Sequence, residues 1–157
     1  MEIEIVKGIG RGVTSKSAFD AALFDAGIAN YNLILLSSII PPNSTITVKT
    51  KHGFCDDKYG YRLYVVLARM NQIEIGKRAS AGIGWVQNGT GQGVFVEHFA
   101  EDENDVCEQI KISLGEMIRR RGNIFNISDI KYLTSSILCY EVPVCAIVAA
   151  IIKNEGW

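Results

Sequence analysis

A chain of 157 residues with 48% hydrophobic content is long enough to bury one ordinary core, and a single domain over 1–157 is expected. Sixteen basic and 17 acidic residues, mixed along the chain, leave a net charge of −1 and no electrostatic footprint for nucleic acid or an anionic membrane. The start, MEIEIVKGIG, lacks the apolar stretch of a signal peptide, and VPVCAIVAAII at 142–152 is too short to span a bilayer, so a cytoplasmic protein is expected.

In chain order, residues 2–7 alternate as a short strand, and GIGRG at 8–12 reads as a turn leading to the helix SKSAFDAALFDAG, with a serine cap and a terminal glycine. The GIGRG stretch does not complete G-x-G-x-x-G, so a phosphate loop is not indicated. NLILLSSII at 32–40 reads as one strand stopped by Pro41 and Pro42. Residues 44–50, 61–70 and roughly 72–87 supply further strands, with glycines at 76, 82 and 84 suggesting bends or bulges. NGTGQG at 88–93 is a hairpin turn before the strand GVFVEHFAE. The clearest helix is EDENDVCEQIKISLGEMIRRRG: Val106, Ile110, Leu114, Met117 and Ile118 recur at helical spacing, acidic residues crowd the first turn, and RRR closes the last before Gly122. Residues 126–139 and 142–152 are the last two strands. This order argues for an α/β domain of mixed or mainly antiparallel sheets. Because several strands are apolar on both sides, a four-layer αββα sandwich with helices on the outer faces is expected.

Four cysteines (Cys55, Cys107, Cys139 and Cys145) form no C-x-x-C pair, and only His52 and His98 could join them as imidazole ligands. No metal site is expected, and the thiols read as reduced and mostly buried. The sequons at Asn43, Asn88 and Asn126 are chance matches in a cytoplasmic chain.

Two adjacent serines, Ser37 and Ser38, interrupt an otherwise apolar run, where each buried hydroxyl needs a partner. Taken alone, such a pair is most often two small residues bonded to neighbouring backbone. The stretches around it, AFDAALFDAGIANYNLILLSSIIPP (18–42), KRASAGIGW (77–85) and GVFVEHFAEDENDVCEQIKISLGEMIRRRG (93–122), with a looser likeness at VCAIVAA (144–150), resemble the pyruvoyl-dependent arginine decarboxylases of archaea and some bacteria. Tyr31 departs from the smaller aliphatic residue of that pattern, so pocket shape is expected to differ.

The resemblance implies autocatalytic cleavage between Ser37 and Ser38 into fragments 1–37 and 38–157. The Ser38 hydroxyl attacks the carbonyl of Ser37 through a five-membered ring and turns the amide into an ester. Asn32 is implied to contribute to the environment that stabilises the oxyanion. β-Elimination then frees Ser37 as a new C-terminus, and the dehydroalanine at position 38 loses ammonia to leave a pyruvoyl group. That carbonyl condenses with the amine of the substrate and accepts the electrons released as carbon dioxide departs, so neither pyridoxal phosphate nor a metal is expected.

The reaction needs a carboxylic acid to return a proton, and the resemblance gives that place to Glu97. Alternation puts Glu97 on one face of its strand with Phe95 and Phe99, and His98 on the other. A solvated edge-strand carboxylate is the plain alternative. Substrate selection is implied to rest on Asp20, with Ser37 lining the site. On its helix Asp20 lies between Leu23 and Phe24 in the apolar arc, where a carboxylate could pair a guanidinium, but a salt bridge to Lys16 or an arginine, or simple exposure beside the helix start, is equally open. The implied activity is decarboxylation of L-arginine to agmatine, an entry to polyamine biosynthesis, by a trimer or hexamer of cleaved protomers. Two alternatives stay open: another cationic amino acid as substrate, or a non-catalytic oligomeric metabolite-binding protein on the same scaffold.

Overall fold

The computed structural model describes residues 1–53, 56–122 and 124–157, so the expectation for Cys55 falls outside the described residues. Among the described residues, nine strands and two α-helices form an α/β fold with two sheets. The strands are β1 (Glu2–Arg11), β2 (Asn32–Leu35), β3 (Ile39–Ile40), β4 (Thr45–Val48), β5 (Arg62–Gln72), β6 (Arg78–Gln87), β7 (Gly93–Ala100), β8 (Lys131–Leu138) and β9 (Val144–Glu155). The helices are α1 (Ser15–Ala26) and α2 (Glu103–Arg120). One sheet is mixed, in the order β2-β5-β9-β1-β4, with β2 and β4 parallel to their neighbours. The other, β3-β7-β6-β8, is antiparallel throughout. No helix among the described residues is long and apolar enough to cross a membrane.

Three clusters hold these elements. The largest joins residues of both sheets, among them Ile5, Val66 and Val148 from the mixed sheet and Ala81, Ile83 and Phe95 from the antiparallel one. The second packs Ala18, Ala22, Leu23 and Ala26 of α1 against Val6, Val65, Ile147 and Ala149. The third packs Val106, Ile110, Leu114 and Ile118 of α2 against Val86 and Val94. Alternate residues of β1, β5 and β9 therefore feed different clusters, which is why those strands read as continuously apolar.

Helix α1 begins at Thr14, whose hydroxyl accepts from Ser17 N at 3.1 Å while Ser17 Oγ accepts from Thr14 N at 3.0 Å. The cap is thus a threonine in a capping box and not the expected serine. Gly27 ends it in the left-handed conformation at φ 82°. In α2, Asp102 caps the first turn by accepting from Asn104 N at 2.7 Å. Glu103 and Asp105 at one end and Arg119 and Arg120 at the other complement the helix dipole.

Three expectations need correction. GIGRG is no turn; β1 runs straight through it to Arg11. A Cβ at Gly8 would stand 2.1 Å from Ala22 O, and one at Gly10 2.2 Å from Ala18 O, so these glycines let α1 lie directly on the strand. Gly82 and Gly84 make no bulge either: pairing with β7 continues through them, and a Cβ at Gly84 would meet Ile110 Cγ2 at 2.2 Å. Finally, residues 32–40 are not one strand. β2 pairs with β5 in the mixed sheet and β3 pairs with β7 in the antiparallel sheet, so the chain changes sheets between them.

Candidate active site

The sheet change is compressed into the serine pair. Leu36 N still donates to Val65 O of β5 at 2.9 Å, while Ser38 O already accepts from Phe95 N of β7 at 2.8 Å. Leu36 and Ile40 turn towards the cluster between the sheets, whereas Ser37 and Ile39 are exposed. Between the two ladders the Ser37 carbonyl accepts from Ile39 N at 2.8 Å, a one-residue turn centred on Ser38. Ser38 has no positive φ, which makes this an inverse γ-turn.

The half-buried Ser38 hydroxyl donates to Glu97 Oε2 at 2.6 Å. Glu97 reaches it because β7 pairs directly with β3, with Ile39 opposite Val94, and because alternation turns Glu97 to the same side as the fully buried Phe95. Phe99 shares that side but is 62% exposed, so the aromatic surroundings expected for Glu97 are present on one flank only. His98 points away and its Nε2 lies 2.8 Å from Ser113 Oγ on α2. Burial holds the His98 imidazole below its ordinary pKa, against the opposing pull of neighbouring Glu97.

The other two candidates lie apart from this contact within one protomer. Asn32 donates through Nδ2 to Gly60 O at 2.6 Å. With the chain extended through Leu36, Asn32 stands about 13 Å back along the strand from Leu36 at about 3.3 Å per residue. Asp20 is exposed, outside the buried side of α1 formed by Ala18, Ala22, Leu23 and Ala26, so the reading that put it within the apolar arc is corrected. Among the described residues it pairs with neither Lys16 nor any other group. Its neighbour Phe19 lies under the Arg69 guanidinium, 3.7 Å from the ring centre.

Two features escaped the sequence reading: the change of sheet and the Ile39 amide bonded to the Ser37 carbonyl. The first had a signal in the polar pair itself, since a run apolar on both sides has no reason to carry serines except where it leaves the ladder. A carboxylate touching the Ser38 hydroxyl, beside a peptide released from both sheets, fits a site where residue 38 becomes a chain-derived carbonyl. Among the described residues, no group of three or more His, Cys, Asp or Glu side chains gathers to hold a metal.

The chain is similar in sequence to several known proteins. A pyruvoyl-dependent arginine decarboxylase from Thermoplasma volcanium is 43% identical over 84 residues, covering 54% of this chain and 46% of that protein. One from Halobacterium salinarum is 39% identical over 112 residues, covering 69% and 67%. Pyruvoyl-dependent arginine decarboxylase 1 of Methanosarcina acetivorans is 32% identical over 120 residues, covering 74% and 72%. The match thus spans about half of the Thermoplasma protein and about two thirds to three quarters of the other two. The family model for pyruvoyl-dependent arginine decarboxylase matches residues 2–154, and the chain belongs to that family.

Proposed function

We propose that this chain cleaves itself between Ser37 and Ser38 into fragments 1–37 and 38–157, and that the product decarboxylates L-arginine to agmatine. The observation that carries the reading is the 2.6 Å contact of Ser38 Oγ with Glu97, next to a peptide bond that belongs to neither sheet. As the hydroxyl attacks the Ser37 carbonyl, Glu97 takes its proton; the amide nitrogen of residue 38 is then protonated and leaves, giving the ester. Loss of the Cα proton of residue 38 expels the Ser37 carboxylate, and solvent water replaces nitrogen as ammonia. The resulting pyruvoyl group supplies an electron-accepting carbonyl for the substrate amine, in place of pyridoxal phosphate. Glu97, already at position 38, is the acid that delivers the proton left behind by carbon dioxide.

Asp20 takes the arginine guanidinium, Asn32 assists processing, and Ser37 borders the substrate. The exposure of Asp20 and the distance of Asn32 from its own Ser38 support a site completed between protomers of a trimer or hexamer. The three packing clusters support a four-layer αββα arrangement of one domain, with α1 and α2 outermost. A cytoplasmic setting accords with the thiols of Cys139 and Cys145, both buried and reduced.

Denaturing mass spectrometry of the purified protein tests the central claim. Two fragments divided at 37–38 are expected, the larger lacking an amino group at its first residue, together with carbon dioxide release from arginine. An unbroken chain that nonetheless releases carbon dioxide from arginine would refute the mechanism.

A further inference from the structure

We infer that the backbone N–H of Ile39 is the oxyanion donor for the self-cleavage. The inference rests on the reading that the 37–38 bond is the one that breaks. The Ser37 carbonyl oxygen is the atom that gains charge when Ser38 Oγ attacks, and Ile39 N already donates to it at 2.8 Å in the resting peptide. The position of β3 explains why this amide is free. β3 is an edge strand, and Ser38 O is already engaged by Phe95 N of β7, so alternation turns the Ile39 N–H towards the open side and back onto Ser37. The bond strengthens as the carbonyl carbon becomes tetrahedral, so it favours the transition state over the resting amide. Carboxylate and amide then act on opposite ends of one step. Glu97 receives the proton from Ser38 Oγ while Ile39 N–H holds the charge that the new C–O bond pushes onto Ser37 O.

Because Ile39 N–H belongs to no ladder, proline at this position removes the donor without removing a sheet hydrogen bond. The full chain is synthesised in a cell-free system, and conversion of intact protein into fragments 1–37 and 38–157 is followed in time by denaturing mass spectrometry. Ile39→Val, which keeps the amide, is expected to cleave at least about tenfold faster than Ile39→Pro. Ile39→Pro is expected to cleave about 10²-fold or more slowly. If Ile39→Pro misfolds by circular dichroism, the same measurement is made with the α-hydroxy acid analogue of isoleucine at position 39, which replaces only N–H by O. Hydroxylamine, which captures the ester, should not restore the rate, because the defect precedes ester formation.

A folded variant lacking the donor that cleaves at the parent rate would overturn the inference. So would rescue by hydroxylamine at 37–38, since the amide would then act after the shift. A parent chain that never cleaves would instead remove the proposed function, and this inference with it.

Discussion

Replacing Glu97 by glutamine separates proton transfer from hydrogen bonding at position 38. Glutamine keeps an oxygen at the place where Glu97 Oε2 accepts from Ser38 Oγ at 2.6 Å, so the resting contact survives and only the capacity to take and return a proton is lost. General acid–base assistance of this kind contributes about 10²- to 10⁴-fold. At about 1.36 kcal/mol per decade, that is about 3 to 5 kcal/mol of barrier. Self-cleavage should still proceed, slowed, because the developing oxonium can lose its proton to water. Turnover should fall by the full factor, since among the described residues Glu97 is the only side chain hydrogen-bonded to residue 38. The assay measures carbon dioxide release per mole of chain-bound carbonyl, titrated with phenylhydrazine, so that incomplete processing does not pass for slow catalysis. A kcat per carbonyl within about threefold of the parent would refute Glu97 as the acid.

Three further outcomes follow from particular contacts. Asp20→Asn should lower kcat/KM for arginine about tenfold relative to lysine, the low end for a charged hydrogen bond because Asp20 is exposed; an unchanged ratio would remove Asp20 as the guanidinium anchor. Gly84→Ala should destabilise the fold by about 1 to 3 kcal/mol, read by urea unfolding, because the new methyl meets Ile110 Cγ2 at 2.2 Å; Gly89→Ala, with nothing within 4 Å, should change stability by less than about 0.5 kcal/mol. Burial lowers the His98 pKa in the fold, so the unfolded chain binds more protons below about pH 6.5; stability from this source is present at pH 7 and declines as pH falls below that value. His98→Gln should flatten that decline between pH 7 and 5, and an identical slope in the two proteins would show that the dependence arises elsewhere.

How much could be read in advance depended on whether one residue pattern had one physical cause. Helix α2 was legible because Val106, Ile110, Leu114 and Ile118 answer a single demand, burial of one stripe, and the structure buries all four. The placement of Glu97 and His98 on opposite sides of β7 followed from strand alternation in the same way. Glycine defeated the reading because two causes share it. GIGRG has the composition of a turn, but Gly8 and Gly10 recur with the period of a strand, opposite Ala18, Ala22 and Ala26 at helical spacing, which is the pattern of a helix laid close on a strand. Asp20 shows the limit of helical projection: the angle put it beside Leu23, but the buried arc is narrow enough to leave Asp20 and Phe24 outside.

The apolar run at 32–40 is the most instructive case, because burial alone cannot distinguish one strand covered on both faces from two short strands in different sheets. Both demand the same side chains. They differ only in where the backbone hydrogen bonds go, and that difference falls on the serine pair: Leu36 N is committed to one sheet, Ser38 O to the other, and the carbonyl between them to Ile39. A peptide inside a continuous ladder would have its carbonyl held by a neighbouring strand and its faces covered. Changing sheets exposes Ser37, turns its carbonyl back on the chain, and leaves the Ser38 hydroxyl to a carboxylate on the adjacent strand. On the proposed self-cleavage, the architecture that stacks the two sheets is also what would single out one amide for attack, so a variant that moved the crossover by one residue should fold and yet stay whole.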